Sequence, residues 1–307
     1  MPRQAIAGID GSPESRAAAF WAAHEAARRG LSLRLLHVWQ PWTPAFANAP
    51  MGDAVVLPEG PDNDELRAEH MLDDVYERVR DTHPGTDVVA EQIPGRPVDI
   101  LRSASDEAEV LVLGSRALGT LAGFLTGSVS MAVLAHARRP VTLVRQGPPI
   151  EESCPACADD AVRDGGGSRD VVLGLDLSRP CDELIEYAVG AAAARQGALR
   201  VVHTWSPPPI YGYDPAAVDR RHVEALGAEE RNALEEMMSP WRAKFPSVPM
   251  ELGCVVDRPA ERLVEAAEGA ALLVVGRRIR GGLLHIGPVT HGVLHHARVP
   301  VAVVPHR

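Results

Sequence analysis

The sequence contains the same order of motifs twice, from Gln4 to Arg145 and again from Asp170 to His306. In each copy an apolar segment ends in a Gly-x-Asp turn, a second ends in His and Trp, and a later one ends in Gly before a glycine-containing loop. The last parts align most clearly: VLVLGSRALGTLAGFLTGSVSMAVLAHARRPVTLV corresponds to LLVVGRRIRGGLLHIGPVTHGVLHHARVPVAVV. Such an internal repeat predicts two similar structural units, each of which serves as a comparison for the other.

The length of the chain fits two domains, because 307 residues give each copy enough sequence to bury its own apolar core. We predict one domain over residues 1–147, a linker over 148–169 and a second domain over 170–307. The linker is polar and contains Cys154 and Cys157 as a C-x-x-C pair. This pair has two interpretations: a thiol function, as a reversible disulfide or a metal bridge between chains, or ordinary residues of a flexible linker.

Four apolar segments of the first copy are continuous rather than alternating: residues 5–9, 33–38, 110–113 and 141–144. Strands of this kind are covered on both faces, as in a parallel sheet flanked by helices. Segment 64–83 keeps one apolar face at helical spacing, and the second copy matches it. The sequence therefore predicts a right-handed doubly wound α/β sheet in each copy. In such sheets ligands bind beyond the carboxyl ends of the strands, which makes the loops after the first and fourth strands the main candidates.

Composition excludes several classes of function. The formal net charge is −10, whereas a nucleic-acid surface needs a basic patch to neutralise phosphates. Lys244 is the single lysine, so the P-loop motif GxxxxGK[ST] is absent and any bound phosphate must be held differently. No segment resembles a signal peptide or reaches the length of a membrane span, and four cysteines suit a reducing compartment. We therefore expect a cytoplasmic protein with neither nucleic acid nor a membrane as partner.

The loop after the fourth strand of the first copy is rich in glycine and leads into a helix. Its candidate binding residues are Gly114, Ser115, Arg116, Gly119, Gly127, Ser128 and Val129. Glycine lets the backbone approach a ligand closely, and the first amides of a helix carry positive partial charge. These features favour a phosphate site without lysine, to which Ser128 adds a hydroxyl and Arg116 a charge. The alternative is structural: Gly114 ends a strand and Ser128 caps a helix.

The chain resembles a tandem universal stress protein. The resemblance rests on the turn Gly-Ile-Asp-Gly-Ser after the first strand, the glycine after the fourth, the Gly-Ser pair that follows it, and the doubling of the whole unit. The motif of that family is Gly, two residues, Gly, nine residues, Gly, then Ser or Thr. Gly114, Gly127 and Ser128 match it in register, whereas Ala117 replaces the second glycine.

The resemblance implies a Rossmann-like, five-stranded parallel sheet in each copy that holds ATP in nucleotide-binding members of the family. The triphosphate would lie on the glycine loop, and Mg²⁺ has a place beside it as a companion of the nucleotide. The residues implied at the adenosine end are Gly8, Ile9, Asp10 and Val38. The resemblance also implies an intrachain pseudo-dimer in which the last strands, residues 141–144 and 301–304, meet. A homodimer of the whole chain is a further possibility.

The second copy departs further from the motif. Gly276 and Gly287 are kept, but Ile279 replaces the second glycine, the loop is two residues shorter, and Pro288 stands in the place of Ser128. Proline has neither a hydroxyl nor an amide hydrogen, so two phosphate contacts are lost. At about 1.5 to 3 kcal/mol each, their loss predicts binding weaker by about two or more orders of magnitude. The residues left to bind a nucleotide are Gly174, Asp176, Gly276, Arg277, Gly281 and Gly287.

Two side-chain clusters of the second copy have competing interpretations. Arg277, Arg278 and Arg280 would pair with an anion in place of backbone amides, or the site is a degenerate one kept for structure. His291 and His295 are four residues apart, a spacing that can hold zinc, but we favour a solvated helix end.

Polar residues at the strand ends also have two interpretations. Asp10 and Asp176 would bond a ribose hydroxyl or a divalent cation, or they order the turn after the first strand. His37 and His203 end the second strand of each copy, where we predict buried, hydrogen-bonded imidazoles rather than catalytic groups.

These observations favour a nucleotide-binding regulatory protein of the universal stress type that binds ATP mainly in the first copy. No base, nucleophile or metal triad is evident beside the glycine loop, so we expect binding rather than enzymatic turnover. One alternative is a scaffold of the same fold that has lost its nucleotide and acts through unknown protein partners. Another is an adenylating enzyme, which we disfavour because the Ser-Gly-Gly loop of that class is missing after the first strand.

Overall fold

The computed structural model describes residues 3–40, 61–115, 128–145, 169–179, 181–206, 220–279 and 286–307. The strands in these ranges are β1 (Gln4–Ile9), β2 (Ser32–Trp39), β3 (Val88–Pro94), β4 (Val110–Gly114), β5 (Val141–Val144), β6 (Val171–Gly174), β7 (Leu199–Trp205), β8 (Met250–Val256), β9 (Leu272–Arg278) and β10 (Val301–His306). The helices are α1 (Pro13–Arg29), α2 (Pro61–Thr82), α3 (Pro97–Glu107), α4 (Ser128–His136), α5 (Asp182–Arg195), α6 (Arg220–Lys244), α7 (Pro259–Ala266) and α8 (Pro288–His296).

The strands form one sheet in the order β3-β2-β1-β4-β5-β10-β9-β6-β7-β8. Within each group of five the neighbours run parallel, which confirms the predicted five-stranded parallel sheet in both copies. The two five-stranded groups join where β5 and β10 pair antiparallel, with Val141 opposite Val303 and Leu143 opposite Val301. The last strands therefore meet as the resemblance implies.

The first strand of each half lies between the second and the fourth, so the chain changes direction across the sheet at β1/β4 and at β6/β9. The carboxyl ends of neighbouring parallel strands lie at the same edge of a sheet. A crevice forms there because the connections leave in opposite directions. Both loops selected from the sequence start at this edge.

Small side chains let α1 lie close against the sheet. Ser12 begins the helix by accepting a hydrogen bond from the amide of Ser15, and Gly30 ends it in the left-handed conformation with φ 61°. The fully buried residues of its inner face are Ala18, Ala19, Ala22, Ala23 and Ala26. Because alanine adds little width, the first turn of α1 reaches the end of β4.

A buried ionic group joins the two halves on one face of the sheet. Oε2 of Glu25 in α1 lies 2.7 Å from Nη2 of Arg195 in α5, and Oε1 lies 2.5 Å from Nη2 of Arg29. Arg29 also lies over the ring of Tyr187, with 4.9 Å between the guanidinium carbon and the ring centroid. Burial opposes ionisation, but Arg195 and Arg29 outweigh it and keep the pKa of Glu25 below its ordinary value. The carboxylate therefore stays charged and paired inside the interface.

Candidate functional site

The first half contains a cleft of about 260 Å³ at the carboxyl ends of β1, β2 and β4, which we call the first cleft. The sequence-predicted residues that line it are Gly8, Ile9, Asp10, Val38, Gly114, Ser128 and Val129. Ser115 does not line it: this residue is buried, and its amide donates to the carbonyl of Val144 at 2.7 Å. Arg116, Gly119 and Gly127 lie outside the described residues.

Helix α4 points its amino terminus into the first cleft. Ser128 begins the helix, and the amides of a first helical turn have no partner within the helix. The Ser130 hydroxyl donates to the carbonyl of Gly114 at 3.1 Å, which ties the helix to the end of β4. In the second half Thr290 makes the same bond to Gly276 at 2.9 Å. The sequence analysis missed this pair, although a hydroxyl residue at the same register of both copies is a readable signal.

The two glycines at the end of β1 and β4 are both constrained by packing. A Cβ at Gly8 would lie 2.6 Å from Cδ2 of Leu113, and a Cβ at Gly114 would lie 2.7 Å from backbone atoms of Glu14 and Ser15. Gly114 is thus required by the first turn of α1, whatever it contributes to a ligand. This finding supports the structural interpretation of Gly114 without removing the residue from the cleft wall.

The aspartates after the first strands order their turns in both halves. Oδ1 of Asp10 accepts from the amide of Ser12 at 3.0 Å, and Oδ1 of Asp176 accepts from the amide of Ser178 at 3.0 Å. Both aspartates also line their clefts, so each carboxylate stands at the edge of a site while it holds the turn.

The histidines that end β2 and β7 are held by backbone carbonyls. Nδ1 of His37 lies 2.7 Å from the carbonyl oxygen of Ile9, and Nδ1 of His203 lies 2.9 Å from that of Leu175. Each imidazole thereby ties the second strand to the turn after the first. The geometry agrees with hydrogen-bonded structural histidines.

The second half contains a larger cleft of about 520 Å³ at the equivalent edge, which we call the second cleft. Of the predicted residues Gly174, Asp176, Gly276 and Gly287 line it, and Gly281 lies outside the described residues. Pro288 begins α8 and removes one amide from the helix end that faces this cleft.

Arg277 does not serve the second cleft, contrary to the sequence-based expectation. Its side chain is buried and donates to the carbonyl oxygens of Ala135 and Ala137 at the carboxyl end of α4. Arg145 makes the corresponding contact in the other direction, donating to the carbonyl of Leu294 at 2.8 Å and to that of His295 at the end of α8. Each half therefore supplies one arginine that caps a helix of the other half.

Two arginines and one histidine line the second cleft. Arg179, Arg278 and His306 form part of its wall, and Asp176 is the one acidic residue among the described residues that line it. Burial is the main cause that lowers the pKa of His306. Arg307 and Glu183 oppose this shift, and Arg278 and Arg277 add to it. The imidazole is therefore neutral at pH 7, and the arginines provide the positive charge.

The sequence analysis named two further clusters, a histidine pair and a cysteine pair. The Nε2 atoms of His291 and His295 lie 3.1 Å apart on α8. Within the described ranges no group of three or more His, Cys, Asp or Glu residues is placed to hold a metal ion. Cys154 and Cys157 lie outside those ranges. Of the helices in the described part of the chain, none is long and apolar enough to cross a membrane.

Comparisons with known proteins agree with this architecture. Universal stress protein Rv2005c of Mycobacterium tuberculosis is 33% identical over 320 residues, which cover 97% of this chain and 95% of that protein. A solved universal stress protein from Archaeoglobus fulgidus matches with a TM-score of 0.67 and 18% identity, covering 98% of each chain. A universal stress protein solved in complex with cAMP covers 48% of this chain and 98% of its own, at 26% identity and a TM-score of 0.36.

The sequence profile of the universal stress protein family matches residues 1–145 and again 167–305. Apart from His306 at the end of β10, these two stretches contain all the strands and the described lining residues of both clefts. With the full-length relative, they show that the chain belongs to the universal stress protein family, as a tandem member with two copies of the family's unit.

Proposed function

We propose that this protein is an ATP-binding regulatory protein that holds its nucleotide in the first cleft. The observation that carries the proposal is the meeting of three elements at one switch point: the end of β1 with Asp10, the end of β4 with Gly114, and the amino terminus of α4 at Ser128. Such a crevice, with helix amides at one end, suits a nucleotide whose charged group faces those amides.

The two ends of the first cleft differ in chemistry. Leu36, Val38 and Leu101 give it an apolar side, on which an adenine ring would pack. The Ser128 hydroxyl is exposed at the other end beside the first amides of α4, where phosphate oxygens would accept hydrogen bonds. A volume of about 260 Å³ is at the low end for small-molecule clefts, roughly 300–1,000 Å³, so the nucleoside would fill the cleft and the phosphates would lie at its rim.

We propose binding rather than turnover. Asp10 is the one ionisable side chain among the described residues that line the first cleft, and its Oδ1 already holds the turn at Ser12. A binding protein uses such a site by changing its surface when nucleotide enters or leaves. Mg²⁺ would accompany the phosphates, and the proposed compartment is the cytoplasm.

The test is to denature the purified protein, identify released nucleotide and titrate ATP into nucleotide-free protein. We expect about one ATP per chain. Ser128→Pro should lower ATP affinity by about a hundredfold or more, because it removes a hydroxyl and an amide that donate to phosphate. Proline is tolerated at the first position of a helix, as Pro288 demonstrates in α8, so this variant should fold.

The matched control is Pro288→Ser, the reverse change in the second half, which should leave ATP affinity at the first cleft unchanged. Unchanged affinity in Ser128→Pro would remove α4 from the phosphate site. Failure of the unmodified protein to bind ATP at all would favour the scaffold function instead.

A further inference from the structure

Two histidines near the end of α8 point ring nitrogens at each other, outside the described walls of both clefts. His291 and His295 lie one helical turn apart, and their Nε2 atoms are separated by 3.1 Å while their ring centroids are separated by 4.2 Å. The two rings therefore converge on the Nε2 atoms. His291 is exposed and His295 is half-buried, so the pair lies at the surface of the molecule.

The distance between these nitrogens suits two ligands of one metal ion. Zinc binds imidazole nitrogen at about 2.0–2.1 Å, so two nitrogens 3.1 Å apart would subtend roughly 100° at the ion. This angle lies between the octahedral and the tetrahedral value. Imidazole is also a ligand that Zn²⁺, Ni²⁺ and Cu²⁺ prefer. The observed separation is therefore already that of a chelating pair.

The position of the pair on the helix also favours a cation. The last carbonyl groups of a helix carry negative partial charge, and His295 lies in the last turn of α8. Arg145 opposes this effect in part, because it donates to the carbonyl oxygens of Leu294 and His295 and brings a positive charge to the same helix end. We therefore expect an ion to need both imidazoles.

The first copy shows that the fold does not require histidine at these two positions. Helices α4 and α8 align without a gap, as SVSMAVLAH and PVTHGVLHH, and the equivalent hydroxyl bonds of their third residues confirm the register. Met131 and Ala135 occupy in α4 the places of His291 and His295 in α8. A structural role in the helix therefore does not explain why the second copy has both histidines.

We propose that His291 and His295 chelate a divalent transition-metal ion through their Nε2 atoms. In the described part of the chain no third His, Cys, Asp or Glu joins the pair, so water takes the remaining coordination positions. Without metal, one Nε2 donates its proton to the other. When the ion binds, that ring takes its other neutral tautomer, with the proton on Nδ1, and both Nε2 lone pairs face the metal.

This proposal does not depend on ATP binding in the first cleft. Mg²⁺, the companion of a nucleotide, prefers oxygen ligands, whereas two imidazoles select the transition metals. Failure of the metal site would therefore leave the proposed nucleotide site untouched, and the reverse holds as well.

The test is nitrogen-15 NMR of the histidine side chains in the full, nucleotide-free chain, because this method observes each imidazole separately. Zn²⁺ should shift the Nε2 signals of His291 and His295 together in one saturable step, with one ion for the pair. Mg²⁺ should shift neither signal. Cu²⁺, which binds imidazole more strongly, should displace Zn²⁺ and broaden both signals.

Variants test whether the two imidazoles act as a pair. His291→Met and His295→Ala each introduce the residue that α4 has at the same position, so both should fit the helix. Each should weaken Zn²⁺ binding at the remaining imidazole by about tenfold or more, because a single ligand replaces a chelate. The matched control is His296→Ala, which removes an exposed histidine from the same turn and should leave the affinity unchanged.

The proposal fails if either imidazole binds Zn²⁺ as tightly after the other has been replaced. It also fails if His296→Ala weakens binding as much as His295→Ala does, since the ion would then not be held by the converging pair. Zn²⁺ that shifts these two signals no earlier than those of other histidines in the chain would indicate adventitious surface binding only.

Discussion

Gly114 has no room for a side chain because the first turn of α1 lies against it. The atoms nearest to an added Cβ are backbone atoms of Glu14 and Ser15 at 2.7 Å, which cannot move without shifting the helix. Gly8 differs, since its nearest neighbour is the end of a flexible side chain, that of Leu113. At the residue scale, therefore, the packing of α1 against β4 requires a glycine at position 114.

Gly114→Ala should lower the free energy of unfolding by about 1–3 kcal/mol, because overpacking forces a backbone shift. The matched control is Gly190→Ala on the exposed face of α5, where nothing lies within 4 Å of the added Cβ. That change should stabilise by about 0.5–1 kcal/mol through helix propensity. Urea unfolding followed by circular dichroism measures both, and equal midpoints for the two variants would contradict the packing argument.

The residues that the sequence analysis located and those it missed differ in where their partners lie. Gly8, Asp10 and Ser128 are found in the first cleft because strand-end and helix-start patterns are local in sequence. The contacts of Arg277 depend on carbonyls more than a hundred residues away, so no local pattern predicts them. The hydrogen bond between Ser130 and Gly114 is an intermediate case. A single copy gives no sign of it, but a comparison of the two copies shows a hydroxyl residue at the same position in both.

At the scale of elements, β10 extends to His306, beyond the predicted residues 301–304, and it stays paired with β9. Their pairing continues through Arg277 opposite Pro305 and Arg278 opposite His306. Hydrogen bonds to the neighbouring strand hold these polar residues in the sheet. A hydrophobic pattern cannot predict this extension, because it carries no information about which strand lies alongside. The extension buries Arg277 beneath α4 and places Arg278 at the second cleft.

Helix α4 is held at both ends, by the hydroxyl of Ser130 near its start and by Arg277 beyond its end. Arg277→Met should destabilise the protein by about 1–3 kcal/mol, because it removes charged hydrogen bonds and leaves carbonyls of Ala135 and Ala137 unpaired. Arg298→Met, at an exposed position just after α8, should change stability by about 0.5 kcal/mol or less.

Urea midpoints compare these two variants with the unmodified chain. If Arg298→Met lost as much stability as Arg277→Met, the hydrogen bonds from Arg277 to the end of α4 would not explain the loss.

At the scale of the whole molecule, Glu25 is the carboxylate on which the contact between α1 and α5 depends. Glu25→Gln leaves the buried Arg195 and the partly buried Arg29 without this counter-charge, which should cost about 3–5 kcal/mol. Chemical unfolding at pH 7 measures this cost. A variant as stable as the unmodified chain would show that water or other groups satisfy the two guanidiniums.

The Glu25 carboxylate should also make the free energy of unfolding depend on pH. Because the folded-state pKa of Glu25 is depressed, its contribution is fully present above the unfolded value of about 4.3 and is lost as pH falls through the lower folded value. The difference in stability between the unmodified chain and Glu25→Gln should therefore be constant from pH 7 to about 5 and shrink below about 4. A difference that stays constant down to pH 3 would assign the acid sensitivity to other groups.

The antiparallel pairing of β5 and β10 also determines whether the two halves of this molecule can dissociate on dilution. Two separate chains that met along such strands would part when their concentration fell, because their contact obeys mass action. Here both strands belong to one chain, and the covalent connection keeps each at a high effective concentration near the other. The two halves should therefore stay together at any abundance of the protein, so their association need not depend on how much protein the cell makes.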